Sequence, residues 1–379
     1  MSTEIRHVRP EEFERFMRYL ERAFGHSKAF FERALPHLYQ PAEEALSWSY
    51  AIEEEGEIVS HVGLYPIETA TAGVRLTVGG IGAVSTSPAA RGKGYMSRLL
   101  YHVIDEMRRL HYPVSWLGGD RQRYNTFGWE LASPVYDLSF SRRSLEWHHV
   151  EPAEIEEVLP QEALDTIRRY QPLPACHAVR PHLDQQIHKM DLRFWIADDG
   201  YAILAGQDRH EIRIMELVSA SGNETGIIRA MLAWNFGDRA TWRLSMWDRE
   251  RLARLMPYAN YWSSGNSHMY RINDLTALLT AAQDYLASRA AAIRDFAVAL
   301  GIREHDRIAV TTLAVEGGQV DIKPGRHANV YLEYSPAAAA RLLLGGPPAR
   351  PDSGEGADLP AGLSALLPVP CYVFPFDHV

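Results

Sequence analysis

The chain has 379 residues, of which 46% are hydrophobic and 23% charged, and a formal net charge of −9. That length favours two or three hydrophobic cores over one, and an acidic balance without a long Lys/Arg run argues against a general nucleic-acid binder. Two distant cysteines, Cys176 and Cys371, point to a reducing cytoplasm rather than a disulfide framework, and no stretch reaches the roughly 18 apolar residues of a membrane span.

Residues 10–23 place Phe13, Phe16, Met17 and Leu20 at helical intervals behind a Pro-Glu-Glu start. SWSYAIEEEGEIVSHVGLYPIETA reads as two strands turning at Glu55-Gly56, with Glu53-Glu54-Glu55 an exposed turn, and VRLTVGGIGAVSTS as a third strand. SRLLYHVIDEMRRL is an amphipathic helix, PVSWLG a buried strand, and DRQRYNTFGWELA a short helix ending at Gly128 that Asp120 is placed to cap. Together they predict an α/β sheet domain over residues 1–145.

The middle third, residues 146–275, repeats this order more faintly. GYAILAG, EIRIMELVSA and ATWRLSMW are strand-like and GIIRAMLAWNFG is helical, but the junction before that helix reads SGNETG. We read it as a second copy of the same kind of domain, without the glycine-rich turn of the first. Residues 276–379 begin near a long Ala- and Leu-rich helical stretch, DLTALLTAAQDYLASRAAAIRDFAVAL. Strand-like RIAVTTLAVE, QVDIKP and NVYLEYS, helical AAAARLLLGG and a Pro/Gly-rich loop over 347–362 follow. The chain ends PVPCYVFPFDHV, and a tail carrying Tyr372, Phe374 and Phe376 is expected to be docked rather than loose.

Chemistry concentrates in AVSTSPAARGKGYMSRLL. A helix start leaves up to four N–H donors unpaired at the positive end of its dipole, and glycines keep side chains away from them, which makes an anion site. A P-loop is excluded because Gly94, not Ser or Thr, follows Lys93; a Rossmann turn is excluded because Ser85 stands where its third glycine belongs. Strand, Pro88, then Arg91-Gly92-Lys93-Gly94, then helix is the remaining device.

This stretch resembles the pyrophosphate-binding motif of the GNAT superfamily of acyl-CoA N-acyltransferases, and RYNTFGWE resembles the Tyr-x-x-x-Gly-aromatic motif that follows it there. Met96 departs from the Gly or Ala common at its position. IVSHVGLYP and the FGW block narrow the resemblance to the enhanced-intracellular-survival (Eis-like) branch. That branch implies a GNAT mixed sheet, a second GNAT-like domain lacking the CoA motif, and an α+β sterol-carrier-protein-like C-terminal domain. It further implies acetyl-CoA as co-substrate, no metal, direct transfer to a small-molecule or lysine-type primary amine through a ternary complex, and a homo-oligomer. On the matching positions, Val84, Ser85 and Thr86 would bind pantetheine, and Arg91, Gly92, Lys93, Gly94, Tyr95 and Met96 the pyrophosphate. Tyr124 would be the general acid and the Val379 carboxylate the base, with Asp377 and His378 as rival bases. The alternative is a CoA- or lipid-binding carrier or regulatory protein without turnover. Adjacent His148 and His149 read as solvated, and Phe24, His26, Phe30 and Phe31 either as core or as part of the acceptor pocket.

Overall fold

The computed structural model describes residues 4–206, 211–234, 237–355 and 360–379. In the first half the strands are β1 (Ile5–His7), β2 (Ser49–Glu54), β3 (Glu57–Thr71), β4 (Val74–Thr86), β5 (Val114–Leu117) and β6 (Glu130–Ser141). The second half contributes β7 (Ile155–Val158), β8 (Cys176–Val179), β9 (Leu192–Ala197), β10 (Gly200–Ala205), β11 (Glu211–Ser219), β12 (Arg239–Ser245) and β13 (Tyr261–Ile272).

Among the described residues these strands form one mixed sheet, ordered β1-β2-β3-β4-β5-β13-β6-β12-β11-β10-β9-β7, with β8 paired to the outer end of β3. The two halves share this sheet: β13 lies against β5 and β6, and β6 lies against β13 and β12. The two halves follow a similar strand pattern. Each half runs through antiparallel pairs to one parallel pair, β4 with β5 and β11 with β12. A helix joins the members of each parallel pair, Tyr95–Arg109 in the first half and Glu224–Trp234 in the second. Each half also has a register shift one strand earlier, at His61/Gly63 and at Ile203/Leu204.

The last third forms a second sheet of β14 (Phe296–Glu304), β15 (Arg307–Glu316), β16 (Gln319–Pro324), β17 (Val330–Tyr334) and β18 (Ser353–Glu355), ordered β16-β15-β14-β17-β18. The long helix expected over 274–300 is two short helices, Leu275–Ala281 and Gln283–Ala290, and FAVAL belongs to β14. There Val298 and Leu300 face the core that Leu278, Leu279 and Leu286 share with Val78 and Trp116 of the first half. Burial against the helices outweighs the helix preference of Ala and Leu. The Pro/Gly-rich loop includes residues 356–359, which lie outside the described residues.

Candidate active site

The site begins where β4 and β5 part. Their pairing ends at Ile81 opposite Leu117, yet β4 continues to Thr86, held on its other side by β3. At Ala83 the backbone turns left-handed, with φ of +48°, and His61 Nδ1 lies 2.9 Å from the Ala83 carbonyl oxygen. Burial lowers the His61 pKa to about 4, so the ring is neutral at pH 7 and Nδ1–H donates to that carbonyl. The side chains of Ser85 and Thr86 are occupied by neighbours: Tyr19 at 3.1 Å from Ser85 Oγ and Ser60 at 2.9 Å from Thr86 Oγ1. Beyond Ile81, the β4 edge turned away from β3 has no strand partner among the described residues. Main chain at Val84, Ser85 and Thr86 is therefore available to a bound chain.

The loop after β4 delivers the helix Tyr95–Arg109 with Gly94 as its N-cap and no capping side chain. Gly92 and Gly94 have φ of +82° and +78°, and a Cβ added to either would meet nothing within 4 Å. The helix amides thus open onto an unfilled groove of about 680 Å³. Val84, Ser85, Thr86, Arg91, Gly92, Gly94, Tyr95 and Met96 line it. Lys93 does not: its ammonium pairs with Glu54 at 2.8 Å, and the Tyr95 hydroxyl donates to the same carboxylate. Glu53 is likewise engaged by Arg6 and Arg15, so only Glu55-Gly56 of the acidic run forms the turn. Phe24 and Arg123, not expected from the motif, complete the groove. Phe24, His26, Phe30 and Phe31 form one aromatic cluster, with His26 stacked on Phe30 at 3.6 Å.

Tyr124 lies on the one-turn helix Arg121–Asn125, capped by Asp120 accepting from the Gln122 amide at 2.9 Å. It packs with Phe127 and Trp129 and is 6% exposed, and Arg123 rather than Tyr124 lines the groove itself. Its ring crosses Gly119, where an added Cβ would sit 2.9 Å from Cε2. Burial raises its pKa, with Arg123 opposing, so the hydroxyl keeps its proton at neutral pH.

The tail reaches β4 from the sheet face opposite the helix Tyr95–Arg109, where Val379 lines a pocket separate from the groove, with His37, Trp48 and Asp377. An added Cβ at Gly80 would come within 2.8 Å of Val379 Cγ2, and one at Gly82 within 3.0 Å of the Val379 carbonyl carbon. On the other face, Gly79 accommodates Met107 of that helix. The glycines of GGIG are required by packing on both faces, a signal that glycine inside a strand carries. Of the rival bases, Asp377 is bound by Arg180 at 2.7 Å, and the His378 ring packs 4.7 Å from Trp116 and 4.5 Å from His268. Burial drives the His378 pKa well down. Arg180, Lys189 and His268 had no motif to announce them. His148 and His149 are exposed, and no group of three or more metal-ligating side chains occurs among the described residues.

Residues 4–132 match the family model described as an acetyltransferase (GNAT) domain. A search of curated proteins finds no match. Among solved structures, the chain is similar to a GCN5-related N-acetyltransferase from Kribbella flavida, at 16% identity and TM-score 0.66, covering 89% of this chain and 88% of that one. It is also similar to a GCN5-related N-acetyltransferase from Anabaena variabilis, at 19% identity and TM-score 0.67, covering 89% of each chain. Eis1 from Mycobacterium abscessus aligns at 15% identity and TM-score 0.61, covering 89% of this chain and 88% of that one. At these identities the likeness is one of fold: a mixed α/β, GNAT-like architecture with a large mixed sheet.

Proposed function

We propose that the chain is an acetyl-CoA-dependent N-acetyltransferase acting on a primary amine. The observation that carries this reading is the open slot between β4 and β5 continuing into an uncapped helix start, within the segment that matches the acetyltransferase model. Pantetheine pairs with the free edge at Val84–Thr86, and the pyrophosphate takes the amides from Arg91 to Met96. Lys93 contributes main chain only, its side chain being held by Glu54.

The reaction is direct transfer in a ternary complex. The neutral amine attacks the thioester carbonyl, the carboxylate of Val379 takes the amine proton, and Tyr124 protonates the departing CoA sulfur. Two features support these assignments: Val379 rests on the glycine face of β4, and burial keeps Tyr124 protonated. A sterol-carrier-like C-terminal domain and self-association complete the reading; exposed Trp147, Trp234, Tyr261 and Trp262 are candidates for a contact between copies. No helix among the described residues is long and apolar enough to cross a membrane.

The test is thiol release from acetyl-CoA against polyamines, aminoglycosides and lysine peptides. Amine-dependent release is the expected result. Acetyl-CoA binding without release for any amine would favour the carrier or regulatory alternative instead.

A further inference from the structure

The tail is held in two stages by different halves of the molecule. Ser133 Oγ donates to the Cys371 carbonyl at 2.6 Å and Thr69 Oγ1 to that of Tyr372 at 2.7 Å, both from the first half. The final residues depend on the second half. Arg180, 9% exposed, donates to both Asp377 oxygens at 2.7 Å and also to Glu216 of β11. Lys189 Nζ donates to the Phe376 carbonyl at 2.5 Å and to that of His378 at 3.5 Å. Both cations lie over the Phe376 ring, at 4.5 and 5.1 Å. Arg180 faces the carboxylates of Asp377 and Glu216, Lys189 faces that of Asp377, and the Met190 amide, next to Lys189, is tied to the Arg33 carbonyl of the first half at 2.8 Å.

We infer that Arg180 and Lys189 are positioning residues, and that the second half clamps the tail so that Val379 stays on the Gly80–Gly82 face of β4. This rests on the reading that Val379 supplies the base. The physical need is that a carboxylate on a free tail samples many positions, whereas proton transfer demands hydrogen-bond distance. The main-chain carbonyl of buried Phe376 requires a donor, which Lys189 provides. A half that lacks the glycine-rich turn thereby acquires a role in the reaction of the other.

The experiment compares wild type and Lys189→Met by hydrogen exchange of residues 371–379, acetyl-CoA calorimetry and turnover. In the variant, the tail amides should exchange faster and kcat should fall at least 10-fold, while acetyl-CoA affinity stays within about 2-fold. Unchanged turnover in a variant that binds acetyl-CoA normally overturns the positioning role, and so does lost turnover with unchanged tail exchange. Should the variant not fold, wild type alone still decides: a freely exchanging Asp377 amide, which is bonded to the Phe374 carbonyl at 2.9 Å, overturns the clamp. If wild type acetylates no amine, the acetyltransfer reading falls separately, and the exchange comparison still decides for or against the clamp.

Discussion

The two halves share a strand order and differ at one junction. After β4 the first half writes Arg91-Gly92-Lys93-Gly94 and leaves the start of its helix open on a groove of about 680 Å³. After β11 the second half writes Ser-Gly-Asn-Glu, and Glu224, fully buried, opens its helix. That carboxylate is itself an anion at the positive helix end, and Arg254 at 2.7 Å and Arg251 at 3.5 Å neutralise it. Even the glycine there is taken, since a Cβ on Gly222 would lie 3.2 Å from Arg254 Nε.

The slots differ in the same sense. Beyond Ile214 and Trp242 the strands β11 and β12 part as β4 and β5 do, but Tyr372, Phe374 and Pro375 line the gap, leaving a cavity of about 30 Å³ there and a wider one of about 480 Å³ beside it, where Ile214, Trp242 and Arg243 meet Pro375 and His378. One half leaves its slot open; in the other the tail lines the slot and a side chain takes the helix start. On the proposed function, the first is a binding half and the second a holding half.

The largest expected effect comes from making the first junction resemble the second. Gly94→Glu places bulk and negative charge at the open helix start and should abolish acetyl-CoA binding in calorimetry, whereas Gly94→Ala, which shares the backbone strain at φ of +78°, should retain part of it. Equal affinities for the two variants would show that strain, not the anion site, is responsible.

The converse change is Glu224→Ala. It strands Arg251 and Arg254 beside an empty buried position, and breaking such a pair costs about 3 kcal/mol. Urea unfolding should show this loss while acetyl-CoA affinity in the folded protein is unchanged. A variant that gained a second acetyl-CoA site would break the comparison from the other side.

Tyr124→Phe keeps the ring against Gly119 and removes only the hydroxyl. Turnover should drop ~10²-fold with affinity little altered, the pattern of a group that acts in the transition state. Wild-type turnover would reduce Tyr124 to packing.

A smaller effect concerns the wall of the open slot. Burial lowers the His61 pKa to about 4 from 6.5, so the unfolded chain binds the extra proton first as pH falls. Stability contributed by neutral His61 is therefore full above pH 6.5 and is lost as pH drops from 6.5 toward 4. His61→Asn should lose less of its urea midpoint than wild type between pH 7 and pH 5. Equal losses would count against a neutral His61 behind Ala83.

The candidate site is written locally in the sequence, and the frame that carries it is not. Loop and helix start are local devices, written in consecutive residues from Pro88 to Met96, and Ala90 to Met96, Lys93 excepted, line one groove. The strands that join the halves were passed over. β6 contains Pro134, which demotes a strand on sequence grounds, and β13 reads YWSSGNSHMYRI, too polar for a core strand. Both are specified by pairing with each other, a non-local fact. The docked tail was visible in its aromatics, but Arg180 and Lys189 lie in unremarkable stretches, and only the fold brings them to it. The partner of the Lys93 side chain was hidden for a similar reason: Glu54 is 39 positions away in sequence.

The division into a binding half and a holding half is tested most directly by the stoichiometry of acetyl-CoA in a calorimetric titration of the whole chain. The account predicts one site per chain, abolished by Gly94→Glu and untouched by Glu224→Ala. Two sites per chain, or one that survives Gly94→Glu, would contradict it.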